Sequence, residues 1–330
     1  MTYARRLAAV LLFAVSLVIG YAAAPATAQD YPNKPITLIC PFPPGGATDA
    51  ISRIIQEAMS QSLGQQIVIE NIGGAGGMIA AAKAARAAPD GYTILIHQVA
   101  LAAGMTMYKN LAFDAEKDFA AVGLINMAAS VWAGRADLPP NNVKELVAWM
   151  KTPGNNPKIA HPGVGSFGHL AGVLVAQELG VTATQVPYRG AGPALNDLLA
   201  GQVDLSSQSA VQSGNLIKAG KLKGYAIIGR NRFAGLPDLP TMGELGYKKL
   251  DLDFWHMVLA PAGTPRPVID KLNAALRRAL ADAKVKKVFS DGGMDIYPVN
   301  QQSPEAAAAL LKSELKLWGD VIKANNITAQ

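Results

Sequence analysis

Cysteine is all but missing from these 330 residues: Cys40 stands alone. One thiol makes no internal disulfide and no cysteine metal cluster. It lies in an apolar run, too far from the N-terminus for a lipid-attachment cysteine, and is expected to be a buried small hydrophobe. Histidine is scarce as well. His97, His161, His169 and His256 form no i, i+4 pair and no H-E-x-x-H, so no zinc site or other metal centre is expected. A nucleophile elbow is missing too, because Val164 breaks G-x-S-x-G around Ser166. Charged residues are only 16% of the chain and are scattered. Nucleic-acid binding needs a concentrated basic patch, so no nucleic-acid partner is expected. Beyond residue 28 no apolar run approaches the roughly 20 residues that span a bilayer, and the mature chain is expected to be soluble.

What is present begins with an export signal. Arg5 and Arg6 form a positive segment, residues 7–20 an apolar one, and Ala26-Thr27-Ala28 a small-x-small cleavage site before Gln29. The flanks of Arg5-Arg6 match a twin-arginine signal poorly, which favours the general secretory route. A signal peptide over 1–28 and an extracytoplasmic compartment follow. Losing the two arginines lowers the whole-chain charge of +6 by two. The modest positive balance left suits an anionic small ligand without requiring one.

The rest alternates short apolar runs with amphipathic stretches. Strands are expected at 36–40, 66–70 and 92–97, with helices at 48–63 and 78–87 between them. This rhythm predicts a parallel sheet flanked by helices. A second series follows: helices at 143–151, 166–179 and 193–200, and strands at 158–160, 184–186, 203–206 and 222–228. A strand at 255–260 and helices at 267–282 and 304–324 close the chain, with Trp318 as a packing anchor. Residues 126–142 and 231–253 look irregular and are the expected crossovers between two α/β units.

Glycine-rich turns sit where strands meet helices. In Pro41-Phe42-Pro43-Pro44-Gly45-Gly46-Ala47-Thr48-Asp49, Thr48 or Asp49 can cap the helix. The free N–H groups of its first turn then favour an anion; an unliganded tight turn is the equal alternative. The turn from Asn71 to Gly77 lacks the Lys-Ser/Thr end of a phosphate loop. Gly163-Val164-Gly165-Ser166-Phe167-Gly168 fits the dinucleotide fingerprint G-x-G-x-x-G. An exported oxidoreductase is therefore the rival reading. Against it, Tyr188-Arg189 stands where an acidic residue is expected, although Arg189 could suit a phosphorylated dinucleotide, and an exported chain meets little nicotinamide cofactor. The alternative use is a helix capped by Ser166 that grips a carboxylate. His97 and His169 flank the expected cleft. Tyr188-Arg189-Gly190 forms a further turn, in which Arg189 can pair with a carboxylate. Gln208 can donate an amide hydrogen bond after its strand.

In order along the chain, these stretches resemble the solute-binding receptors of tripartite tricarboxylate transporters. The likeness runs through Tyr31-Pro32-Asn33-Lys34-Pro35-Ile36, 41–49, 70–77 and Pro89-Asp90-Gly91-Tyr92-Thr93. It continues through Gly165-Ser166, His169-Leu170, 186–194, Gly201-Gln202-Val203-Asp204 and Ala260-Pro261-Ala262-Gly263-Thr264-Pro265. The resemblance implies an α/β, two-lobed periplasmic binding protein fold (type II-like). Each lobe is a sheet flanked by helices, with the cleft between lobes: one of 29–125 with 250–330, the other of 126–249. It implies a non-enzymatic, monomeric receptor that needs no cofactor. Such a receptor passes a small organic carboxylate (a di- or tricarboxylate or an aromatic acid) to membrane permease subunits. A sensor that docks on a kinase would bind the same ligand. The implied contacts are Pro44, Gly46, Ala47, Thr48, Asp49, Gly165, Ser166 and His169, joined by Tyr188, Arg189 and Gly190. Two departures mark the chain's own ligand choice. His97-Gln98 stands where many relatives carry small polar residues, and Gln208 where many carry Asp.

Overall fold

The computed structural model describes residues 31–188, 190–291 and 293–328, apart from the side chains of Val211 and Gln212. The expected signal peptide and Arg189 lie outside the described residues. The chain divides after Asn33, and the body from Lys34 onward holds every element below. No helix among the described residues is long and apolar enough to cross a membrane.

β1 (Ile36–Cys40) leads into α1 (Ala47–Leu63), followed by β2 (Ile67–Asn71), α2 (Met78–Ala85), β3 (Thr93–Gln98) and α3 (Ala100–Met107). The helical period explains α1. Ile51, Ile55, Met59 and Leu63 recur every four residues and are buried, and Gly64 in the left-handed conformation ends the helix. β1 pairs in parallel with β2 and β3, as the βαβ rhythm predicts. The sheet does not stay parallel, however. β4 (Phe119–Ala128), β10 (Phe254–Pro261) and β11 (Met294–Ile296) complete it antiparallel, in the order β11-β4-β10-β3-β1-β2. β10 inserts between β3 and β4, so the first sheet closes only when the C-terminal part returns.

The second sheet has the order β7-β6-β8-β5-β9. Its strands are β5 (Ser130–Arg135), β6 (Lys158–His161), β7 (Thr184–Pro187), β8 (Leu205–Ser209) and β9 (Leu222–Ile228). Its helices are α4 (Val143–Lys151), α5 (Phe167–Leu179), α6 (Ala191–Leu199) and α7 (Ala210–Lys218). Alternation along β5 sends Trp132 into the large core with Leu170 and Leu205, and Val131 into a smaller one with Ala160 and Ile227. α8 (Arg266–Ala281), α9 (Ala283–Asp291) and α10 (Pro304–Ala324) follow β10. Ser303 caps α10, and Pro304 fills its first turn.

The expected irregular crossover at 126–142 is overturned in its first half. β4 runs to Ala128 and β5 starts at Ser130, so this crossing between the sheets is a single residue, Ala129. Ala, Ser and Gly dilute the β-forming residues there, which hides both strand ends from a composition reading. The return path, from β9 to β10, is long and mostly irregular.

Candidate functional site

A cavity of about 600 Å³ lies between the two sheets. Among the described residues its lining contains no Lys, Arg, Asp or Glu. Phe42, Tyr108, Phe167 and Phe254 give it apolar walls; Gln98, Ser130, Ser207, Ser209 and His256 supply polar atoms.

Two helix starts open on this cavity. α1 begins after Gly46, which offers no side-chain cap, and Ala47 and Ala50 form part of the wall. α5 begins after Ser166, whose hydroxyl accepts the His169 N–H and donates to the Gly163 carbonyl. Ser166, Phe167 and Gly168 line the same space. The first N–H groups of a helix lack intrahelical partners, and its start carries about half a positive charge. The cavity thus offers positive potential from backbone alone. Ser166→Ala should cost about 1 kcal/mol of stability, the usual worth of an N-cap; urea denaturation reads it as a lower midpoint at unchanged slope.

Two neutral imidazoles brace the α5 loop. The Gly163 N–H donates to His161 Nδ1 and the Gly165 N–H to His169 Nδ1, at 3.3 and 3.2 Å. The rings lie 4.3 Å apart between centroids. Burial lowers both pKa values; for His169, with the nearby His161 adding to the effect, the value falls to about 4. An unprotonated ring nitrogen is what the loop N–H groups require. Gly165 is obligatory here: its φ is +78°, and a Cβ would come within 2.8 Å of Met107 Cε.

Of the residues expected at the site, the structure brings Ala47, Gln98, Gly165 and Ser166 into the wall. The other described ones have different employment. Pro44 and Gly46 are exposed on the loop before α1 and do not line the cavity. Neither Thr48 nor Asp49 caps α1. Asp49 is buried, accepts the Gly45 N–H and an Asn71 amide, and pairs with Arg53, which with those bonds lowers its pKa to about 2. Thr48 turns its hydroxyl to His256. His97 sits on the opposite face of β3 from Gln98, wholly buried against Gly77 and edge-on to Phe42. His169 is spent on His161 and the loop. The Tyr188 hydroxyl donates to Asp197 at 2.6 Å, which pushes its pKa up to about 12. Gly190 donates its N–H to the carbonyl of Pro162, a wall residue, and does not itself line the cavity. Gln208 is corrected by strand parity. Its amide donates to Ser206 Oγ, while Ser207 and Ser209 on either side face the cavity.

Sequence reasoning missed His256. It is fully buried, forms part of the wall, and has burial holding its pKa down to about 3. Its Nδ1 and the Ser207 hydroxyl have no partner among the described residues. Leaving such an atom unpaired costs about 1–3 kcal/mol. The available signal was alternation from Phe254 to His256, which puts both on one face of β10.

Two sheets joined at a narrow crossing, with a polar-dotted cavity between them, define a two-lobed solute receptor of the periplasmic binding protein type. The model described as tripartite tricarboxylate transporter family receptor matches residues 51–327, and the chain belongs to that family. The structure of periplasmic binding protein BugD is 38% identical, with a TM-score of 0.76, covering 91% of this chain and 100% of its own. MatC (Rpa3494) from Rhodopseudomonas palustris with bound malate is 35% identical at a TM-score of 0.76, covering 88% and 100%. R. palustris Rpa4515 with adipate is 30% identical at 0.77, covering 90% and 99%. Family and fold are those of periplasmic solute-binding receptors, which are not enzymes.

Proposed function

We propose that this receptor captures a small dicarboxylate in the cavity between the sheets and delivers it, as a monomer, to the membrane permease of a tripartite tricarboxylate transporter. One observation carries the reading: a helix start from each side opens on one cavity whose described lining has no charged side chain. Each start suits one carboxylate, and the apolar walls suit the carbon chain between them. The malate and adipate bound by the two R. palustris relatives support the class.

In this reading the lobes are 34–128 with 254–328, and 130–228. Their border moves from the expected 125 to Ala129 because β4 stays in the first sheet through Ala128. The lobes close on the ligand about Ala129 and the return path, 229–253. The chain reaches the periplasm through a signal peptide cleaved between Ala28 and Gln29.

A thermal-shift screen followed by calorimetry tests the function. Malate, adipate, citrate, benzoate and a nicotinamide dinucleotide are the probes. At least one dicarboxylate should bind saturably and be recovered unchanged. Ligand at 100 times its Kd should add about 2.7 kcal/mol of stability. Binding of the dinucleotide with silence from every acid would instead support the oxidoreductase reading.

A further inference from the structure

His256 and Ser207 are buried polar groups with unspent hydrogen-bonding capacity on one cavity wall. His256 comes from the first sheet and Ser207 from the second. Each stands at a helix start. His256 Nε2 lies 3.1 Å from the hydroxyl of Thr48, in the first turn of α1. The Ser207 carbonyl lies 3.5 Å from where a Cβ on Gly168 would be, in the first turn of α5. Asn126, the cross-strand neighbour of His256, does not satisfy Nδ1, since its own amide atoms are also without a described partner. Buried polar atoms are nearly always paired, and of the buried side-chain atoms without a partner among the described residues only those of His256 and Ser207 belong to the cavity lining.

We propose that His256 and Ser207 are the side-chain anchors of the ligand: His256 donates Nδ1–H to the carboxylate at the α1 end, and Ser207 donates its hydroxyl to the one at the α5 end. The proposal rests on the receptor reading above. Donation from Nδ1 requires Nε2 to be the acceptor, so the Thr48 hydroxyl donates to it and fixes the tautomer. Thr48 is thus a positioning residue. Both anchors are neutral, so charge selection stays with the helix starts while the anchors set where each carboxylate sits.

Calorimetry of the secreted receptor with malate and adipate tests this. Asn at 256 places its amide nitrogen near the Nδ1 position, whereas Gln places it near Nε2. His256→Asn should hold affinity within about threefold. His256→Gln should lose tenfold or more, which is about 1.4 kcal/mol. Thr48→Val should give an intermediate loss, and the His256 nitrogen resonances should change from one tautomer to a mixture. Ser207→Ala should weaken adipate more than hexanoate, which has one carboxylate. Equal affinities for the Asn and Gln variants overturn the proposal and assign Nδ1 to a water shared with Asn126. Should either His256 variant not fold, unchanged affinity in both Thr48→Val and Ser207→Ala overturns it. If the parent binds neither acid, the receptor reading for dicarboxylates falls with it; a parent that binds beside silent variants keeps that reading and removes only this inference.

Discussion

Lowering the pH from 6.5 to 4.5 should cut the melting temperature of this protein by about 10 °C, the loss from its buried histidines outweighing the opposite effect of Asp253, Asp295 and Glu314, whose carboxyls burial pushes up. Burial holds His97 and His169 to about 4 and His256 to about 3, all below the ordinary 6.5. In the unfolded chain these rings take up protons as the pH falls through 6.5; in the folded chain they do not. The unfolded state then binds more protons, so stability is full above 6.5 and is lost down to the folded values. Each ring contributes up to about 1.4 kcal/mol per pH unit in that window. A domain of this size loses about 2–4 °C per kcal/mol. Differential scanning calorimetry across the range checks it. His97→Gln should flatten the slope by about a third, whatever it does to stability at neutral pH; an unchanged slope would show that His97 does not titrate this way.

Glu314→Ala should be strongly damaging although it lies away from the cavity, costing about 3–5 kcal/mol. Glu314 is buried on α10, and its Oε2 accepts both the Trp255 and Trp318 indole N–H groups at 2.8 Å. Both indoles are wholly buried. Removing the carboxylate strands two donors and opens a hole between α10 and β10. Glu314→Gln keeps a carbonyl oxygen for the indoles and should cost less than about 1.5 kcal/mol. Guanidinium titrations of the two variants compare them directly, and equal costs would show that packing rather than hydrogen bonding carries the effect. Trp255 immediately precedes His256, so Glu314→Ala should also loosen the cavity wall.

Strong local signals carried most of the elements. The helical periods at 143–151 and 304–324 coincide with α4 and α10. α3 went unread because nearly every face of it is buried, which erases the amphipathic pattern. α7, α9 and β11 are short and also escaped. At the site, the turns at 41–49 and 163–169 were legible because glycine marks strand-to-helix corners. The faces of Ser207 and Gln208 were not, since strand parity is fixed by pairing with β5 across the sheet. His256 depends on still more distant partners: its neighbours Gln98 and Asn126 come from strands more than a hundred residues earlier. No local window contains that information.

Ala129 is both the one-residue link from β4 to β5 and a part of the cavity wall. With the lobes closing about Ala129 as proposed, a pivot set in the wall works like the root of a pair of callipers. A ligand bulky at that point wedges the jaws near the root, where a small added width becomes a large added opening at the tips. On the receptor function proposed above, the two faces offered to a permease would then register molecular girth directly. A misfit acid could occupy the cavity and still present the wrong outline.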